Sequence, residues 1–375
     1  MSFARMPRVV ALVVGVAALL GALAAPAHAV TIDLVPVGNA GNANDPATGN
    51  LYGGVAYDYA IGTYDVTIGQ YAAFLNAVAA TDTYSLYNGS MATDLNVAGI
   101  AQTGSSGSYT YSVINNGGNS ANRPITYVSW FDSARFANWM ANGQPTGAQS
   151  STTTENGAYA LSGTTTAPAK NVTNPNTSAA PTFFIPNENE WYKAAYFDPT
   201  LNSGAGGYYT YATQSNAAPG NVIGSGANQA NYNNGLYSVT QSASYSSSQN
   251  YLTDVGAFSG SGSFYGTFDQ SGNVYQWNDL DGTPGSSRGL RGGGWSDGAS
   301  GVSSATSFPI DPSAEGGGIG FRLASPVAVP EPSTWVMGLA GIACGGWQMV
   351  RRRRAKVSLT QPDAAAQSPA THAWR

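Results

Sequence analysis

Residues Gly266-Thr-Phe-Asp-Gln-Ser-Gly-Asn-Val-Tyr-Gln-Trp277, followed by Arg288-Gly-Leu-Arg-Gly-Gly-Gly-Trp295, constrain this chain more than any other stretch. Gly, Asn and Asp alternate with large aromatics, so the backbone must turn sharply while Trp and Tyr enter a core. Such a hub excludes a fold built from long helices. Only 9% of the 375 residues are charged and 47 are Gly, which predicts a loop-rich domain with few solvated helix faces. Between residues 30 and 330 there are seven Lys or Arg against eighteen Asp or Glu. That acidic balance argues against nucleic-acid binding, which needs cations to neutralise phosphates.

Upstream of the hub, local signals place three helices. Thr67 with Gln70, Ser129 with Asp132, and Asn187 with Glu190 each stand three apart, as capping boxes require. The first helix has Ile68, Tyr71, Phe74, Leu75 and Val78 at helical spacing and is expected to end near Ala80. The second places Trp130, Ala134, Ala137 and Met140 on one face, with Gly143 as its stop. The third turns Trp191, Ala194 and Ala195 inward. Strands are expected over 30–37, 57–64 and 108–114. The Thr-, Ser- and Asn-rich segment 144–181 reads as exposed loops, with a short strand near 158–161.

The two ends carry addresses. Arg5 and Arg8 precede an apolar run from Val9 to Ala25, and Ala27-His28-Ala29 offers a cleavage site, so residues 1–29 read as a signal peptide for signal peptidase. An uncut membrane anchor is the competing reading. At the other end, Val329-Pro-Glu-Pro-Ser333 leads into an apolar segment, 334–350, and then Arg351 to Arg354. Seventeen helical residues reach about 25 Å, barely enough to cross the hydrocarbon core of the inner membrane as a transmembrane segment, and the arginines hold their end on the cytoplasmic side. Residues 327–355 resemble the PEP-CTERM sorting signal of Gram-negative bacteria. The resemblance implies recognition by an exosortase and delivery to the cell surface or an exopolysaccharide matrix. The tail, 356–375, extends further than such signals usually do.

Six ordered motifs in the intervening domain, 30–326, resemble the formylglycine-generating, or sulfatase-modifying factor, domain. They are Tyr64-Asp-Val-Thr67, Arg123-Pro-Ile-Thr-Tyr-Val-Ser-Trp130, Phe184-Ile-Pro-Asn-Glu-Asn-Glu-Trp191, Gly272-Asn-Val-Tyr-Gln-Trp277, Arg291-Gly-Gly-Gly-Trp295 and Gly320-Phe-Arg322. The resemblance implies an α+β fold related to C-type lectins, loop-rich, with short helices and small antiparallel sheets. Enzymes of this family oxidise a substrate cysteine with paired cysteines and thiolate-bound copper. Here the segment after Trp295, Ser296 to Ser304, has no Cys, and the one cysteine of the chain, Cys344, lies in the apolar tail segment. Ser cannot replace a thiolate as soft ligand or redox group. With His28 cut away and His372 in the tail, Ser/His and Cys/His catalysis also lack their parts.

The family's calcium sites are the chemistry the resemblance leaves open. One maps onto Asp269, the carbonyls of Gly272 and Val274, and Gln276; the other begins at Asn231 and the carbonyl of Tyr232. These are oxygen donors of the kind calcium takes. The competing reading has the same side chains bonding the backbone of tight turns. Trp277-Asn278-Asp279 also matches a lectin tripeptide, but the Glu-Pro-Asn or Gln-Pro-Asp that would complete such a site is missing. The expected function is a non-catalytic binding or structural module on an exported protein, with exopolysaccharide or a surface protein as partner. A metal-dependent oxidoreductase on the same scaffold is the alternative, and no copper or iron site is identified for it.

Overall fold

The three longest helices of the domain each begin where a side chain can take up the free N–H groups of the first turn. In this computed structural model, which describes residues 29–326, all three capping boxes are closed. The expected signal peptide (save Ala29), sorting signal and tail lie outside the described residues. Helix α1 (Ile68–Val78) starts where Thr67 N–H donates to Gln70 Oε1 at 2.8 Å and Gln70 N–H returns to Thr67 Oγ1 at 3.2 Å. After a single turn, α2 (Ser90–Thr93), helix α3 (Trp130–Ala141) is buried along its entire length. Helix α4 (Glu188–Tyr196) follows Asn187 and buries Trp191, Ala194 and Ala195, as expected.

The strands are short: β1 (Leu34–Val37), β2 (Tyr59–Gly62), β3 (Ile100–Thr103), β4 (Thr110–Val113), β5 (Phe197–Asp198), β6 (Gly207–Tyr208), β7 (Tyr275–Asn278), β8 (Arg288–Arg291), β9 (Phe308–Ile310), β10 (Ile319–Gly320) and β11 (Ala324–Ser325). One sheet has the order β1-β2-β11, antiparallel throughout, so both ends of the domain flank the same strand. A second has the order β10-β7-β8-β9, in which only β10 and β7 run parallel. The β3–β4 and β5–β6 pairs stand apart. Between the two larger sheets and helices α1 and α3 lies an aromatic core, where Phe136 packs edge-on to Phe74 and Phe321 with ring centroids 5.3 and 5.4 Å apart. Trp130, Trp191 and Trp277 are fully buried, and each indole N–H donates, to Asp279, Gln276 and the Val128 carbonyl respectively.

One expectation holds and one changes. Strand β4 falls within the expected 108–114, but its partner β3 has no clean alternation and is defined by the pairing itself. The segment 144–181 is not a set of exposed loops: Thr154, Glu155, Ala158, Tyr159, Leu161 and Asn174 are buried. Polar groups of α3 pull it in. Asn138 Nδ2 donates to the carbonyls of Thr154 and Tyr159 at 2.7 and 2.9 Å, its Oδ1 accepts from Tyr159 N–H at 2.7 Å, and Arg135 pairs with Glu155 at 2.8 Å.

Candidate functional site

The hub turns as its composition demands. Asp269, Gly272 and Asn273 all have positive φ, and a Cβ on Gly272 would stand 2.3 Å from the Asn231 carbonyl oxygen, so only glycine fits. Gly272 N–H donates to the Gly292 carbonyl at 2.7 Å, which binds the two halves of the hub together. Asn273 Oδ1 accepts from Asn231 Nδ2 at 2.9 Å and from Thr253 N–H at 3.2 Å. Beyond this turn β7 carries Gln276 opposite Arg291 of β8.

Gln276 is the junction of a buried network. Its Oε1 accepts from Trp191 Nε1 at 2.7 Å and from Arg322 Nε at 2.6 Å, while its Nε2 donates to the Asp269 carbonyl at 2.8 Å. The Arg322 guanidinium, fully buried, also donates to the Gly62 and Phe268 carbonyls at 2.9 and 2.7 Å and to Asp65 Oδ1 at 3.2 Å. Burial drives the Asp65 carboxyl well above the usual range, more than the neighbouring Arg322 lowers it. Burial also lifts Asp269 to about 6, although the Gly256 N–H donates to its Oδ2 at 2.7 Å and Arg322 lies nearby.

These contacts test the calcium reading. Asp269, Gly272, Val274 and Gln276 do lie on one turn, but both lone pairs of Gln276 Oε1 are taken, one of them by a cation. Arg322 thus sits against the oxygen that would have ligated calcium, and a divalent ion beside it would be repelled. In the second set, the Tyr232 carbonyl accepts from Asn221 Nδ2 and Ser238 Oγ, each at 3.3 Å, and Asn231 Nδ2 donates to Asn273 Oδ1 and the Tyr251 carbonyl. Gln276, claimed by Arg322, is therefore a poor fit for a resident calcium ion. Among the described residues no cluster of three or more His, Cys, Asp or Glu could hold a metal. The lectin-like tripeptide is spent as well: Asp279 accepts from Trp130 Nε1 at 2.7 Å and Tyr159 Oη at 2.6 Å, and faces Arg288 at 3.4 Å.

Past Trp295, where the reactive cysteines would stand, the chain closes into a tied turn. Asp297 Oδ2 accepts from Gly294 N–H at 2.8 Å, and the Asp297 N–H returns to the Gly294 carbonyl at 3.1 Å. Val302 is buried, and its carbonyl accepts from Ser271 Oγ at 2.9 Å. Tyr251 lies flat on the Trp295 indole, 4.6 Å between centroids and 8° between planes, so the space beside Trp295 holds an aromatic stack. No thiol or imidazole is present anywhere in 29–326.

The charged side chains singled out in the sequence have separate tasks. Glu190 completes its capping box and accepts from Tyr57 Oη at 2.8 Å, whereas Glu188, two positions earlier, forms a buried ion pair with Arg291. Arg291 also donates to the Ser304 and Thr306 carbonyls, at 2.9 and 3.1 Å, which holds the closed turn to β8. Missed at the sequence level were the pairs Arg288–Asp279 and Arg135–Glu155. Their signal was the scarcity of cations: of seven Lys and Arg in this region, Arg123, Arg135, Lys193, Arg288, Arg291 and Arg322 are all buried.

Among solved structures, Treponema denticola variable protein 1 is similar at 18% identity and a TM-score of 0.42, over 79% of this chain and 94% of that one. CarF is similar at 20% identity and a TM-score of 0.39, covering 79% and 98%. PvdO from Pseudomonas aeruginosa is similar at 18% identity and a TM-score of 0.38, covering 72% and 81%. No curated protein matches the chain. The family described as the sulfatase-modifying factor enzyme 1-like domain matches residues 35–327. With its loop-rich α+β architecture and the hub just described, the chain belongs to that family.

Proposed function

We propose that this is an exported protein whose family domain works as a non-catalytic binding or structural module. Signal peptidase would cut after Ala29, and an exosortase would act on 327–355 once the apolar segment 334–350 has paused in the inner membrane. The domain would then stand at the surface or in the matrix of a Gram-negative bacterium, with exopolysaccharide or a surface protein as its partner. One observation carries the loss of catalysis: residues 29–326 contain neither Cys nor His, and the segment after Trp295 spends its carboxylate on capping its own turn. Without thiolate there is no soft ligand for copper and no group to exchange with a substrate cysteine.

The test is to incubate the purified full chain with a cysteine-containing peptide, copper and oxygen, and to follow the peptide by mass spectrometry. An unchanged thiol is the expected result. Aldehyde formation, or copper or iron bound in stoichiometric amount, would restore the oxidoreductase reading. For the address, fractionated cells probed with antibody against the domain should show it at the surface; retention in the cytoplasm would refute the export reading.

A further inference from the structure

Five Asn-Gly steps occur in the chain, at Asn88, Asn116, Asn142, Asn156 and Asn234, and the fold treats one of them differently. In such a step the next backbone nitrogen can reach the side-chain amide carbon, because glycine brings no Cβ to crowd the ring that would form. Four of the five are tied down. Asn116 Nδ2 donates to the Leu95 and Ala98 carbonyls at 2.8 and 3.2 Å, Asn142 Nδ2 to the Thr153 and Asn156 carbonyls at 3.0 and 2.8 Å, and Asn88 Nδ2 to Glu315. At Asn156 the following Gly157 is buried, and Asn156 Oδ1 accepts from Gly157 N–H at 3.0 Å and from Asn171 Nδ2 at 3.3 Å. Asn234 is the exception. It and Gly235 are exposed, at the tip of a turn closed by an antiparallel bridge between Asn233 and Tyr237. Its Oδ1 accepts from Leu236 N–H at 3.2 Å, which draws electron density from the amide carbon, while its Nδ2 has no acceptor among the described residues. Gly235 has φ +105°, and a Cβ there would meet nothing within 4 Å, so no neighbour resists closure of a ring.

We propose that Asn234 is a site of spontaneous deamidation, selected from the five by the fold. The Gly235 backbone nitrogen gives its proton to water or hydroxide and bonds to Asn234 Cγ, the Cγ–Nδ2 bond breaks, and ammonia leaves. Water then opens the cyclic imide at either carbonyl, which yields an aspartyl or an isoaspartyl linkage. The product places a negative charge in a stretch, 199–253, that has no Asp, Glu, Lys or Arg. The isoaspartyl form also adds a carbon to the backbone between Asn233 and Tyr237. Tyr237 packs on Tyr251 with ring centroids 4.6 Å apart, so the change is made beside the Trp295 stack.

The experiment holds the full chain in mildly alkaline buffer, digests it at intervals and follows the five Asn-Gly peptides by mass spectrometry. The Asn234 peptide should convert from amide to acid about tenfold faster than any of the others, and an isoaspartyl methyltransferase should label it. In urea, where the fold no longer protects the other four, the rates should converge. Asn234→Gln must close a larger ring, so this turn should then stay unmodified and unlabelled, with an unchanged melting temperature. The proposal is overturned if Asn234 keeps its amide in the folded chain, if another step converts as fast, if the selectivity survives urea, or if the label on this turn persists in Asn234→Gln.

Discussion

The two ends of the β7–β8 hairpin differ in kind. Beyond β8 the chain is closed: Gly293 lies against Gly301 and Val302, Asp297 caps its own turn, and Arg291 bonds the carbonyls of Ser304 and Thr306. Before β8 the connection is open: a Cβ at Gly282 would meet nothing within 4 Å, and a cavity opens beside Arg288. The closed end is where the family's reactive groups would stand.

The largest effect should come from Arg322, which holds Gln276 of β7 in its buried network. Arg322→Met strips Asp65 of its buried ion-pair partner and leaves the Gly62 and Phe268 carbonyls and Gln276 without their donor, so it should cost about 3–5 kcal/mol in urea denaturation. A loss below ~1 kcal/mol would mean that the network is dispensable. A glycine pair then sets one end against the other. Both Gly293 and Gly282 have positive φ, but a Cβ at 293 would stand 2.7 Å from the Gly301 carbonyl oxygen, and one at 282 meets nothing within 4 Å. Gly293→Ala should cost about 3 kcal/mol and Gly282→Ala about 1 kcal/mol, the strain of the backbone alone. Equal costs would abolish the contrast.

Titration separates the ends by sign. Burial raises Asp269 to about 6 in the hub, and Asp279 to about 6 and Asp132 to about 7 elsewhere in the core. Between the unfolded carboxylate value near ~4 and these folded values the native chain holds more protons, so stability falls as pH rises through that window. The protein should melt higher at pH 5 than at pH 8, and Asp269→Asn should flatten that difference by on the order of 2 kcal/mol. At the open rim Asp281 has the opposite shift, lowered by bonds from Thr283, and its small contribution is lost as pH falls through its folded value. A chain that gains stability steadily from pH 5 to 8 would contradict the assignment. The smallest effect concerns calcium. Because Arg322 and Trp191 saturate Gln276, exchanging millimolar calcium for chelator should move the melting temperature by less than ~1 °C, whereas a ligand-linked rise would reinstate the site.

The features legible in the sequence were local. Each capping box lies within four residues, and each helix came with its buried face. The motifs around Gly272, Arg291 and Arg322 gave the family, because close packing demands particular residues at fixed spacing. Illegible were the contacts that join distant segments: Asn138 with Tyr159, Gln276 with Arg322, and Tyr159 with Asp279. The segment 144–181 has few large apolar residues, so its burial comes from hydrogen bonds that no hydrophobic period announces. The calcium reading met the same limit. Asp269 and Gln276 were visible as donors, but the cation that claims Gln276 lies 46 positions away.

Strand β11 has a mechanical consequence. Ala324 exchanges backbone hydrogen bonds with Phe184 at 2.9 and 2.7 Å, β11 pairs with β2, and Arg322 is bolted to Asp65, Gly62 and Phe268 just upstream. If the chain is held at the surface through its C-terminal end, shear from flow is met at β11 first, by one short strand and a buried guanidinium. In single-molecule pulling, Arg322→Met should then lower the unfolding force for load applied at this exit, and an unaltered force would show that the load passes elsewhere.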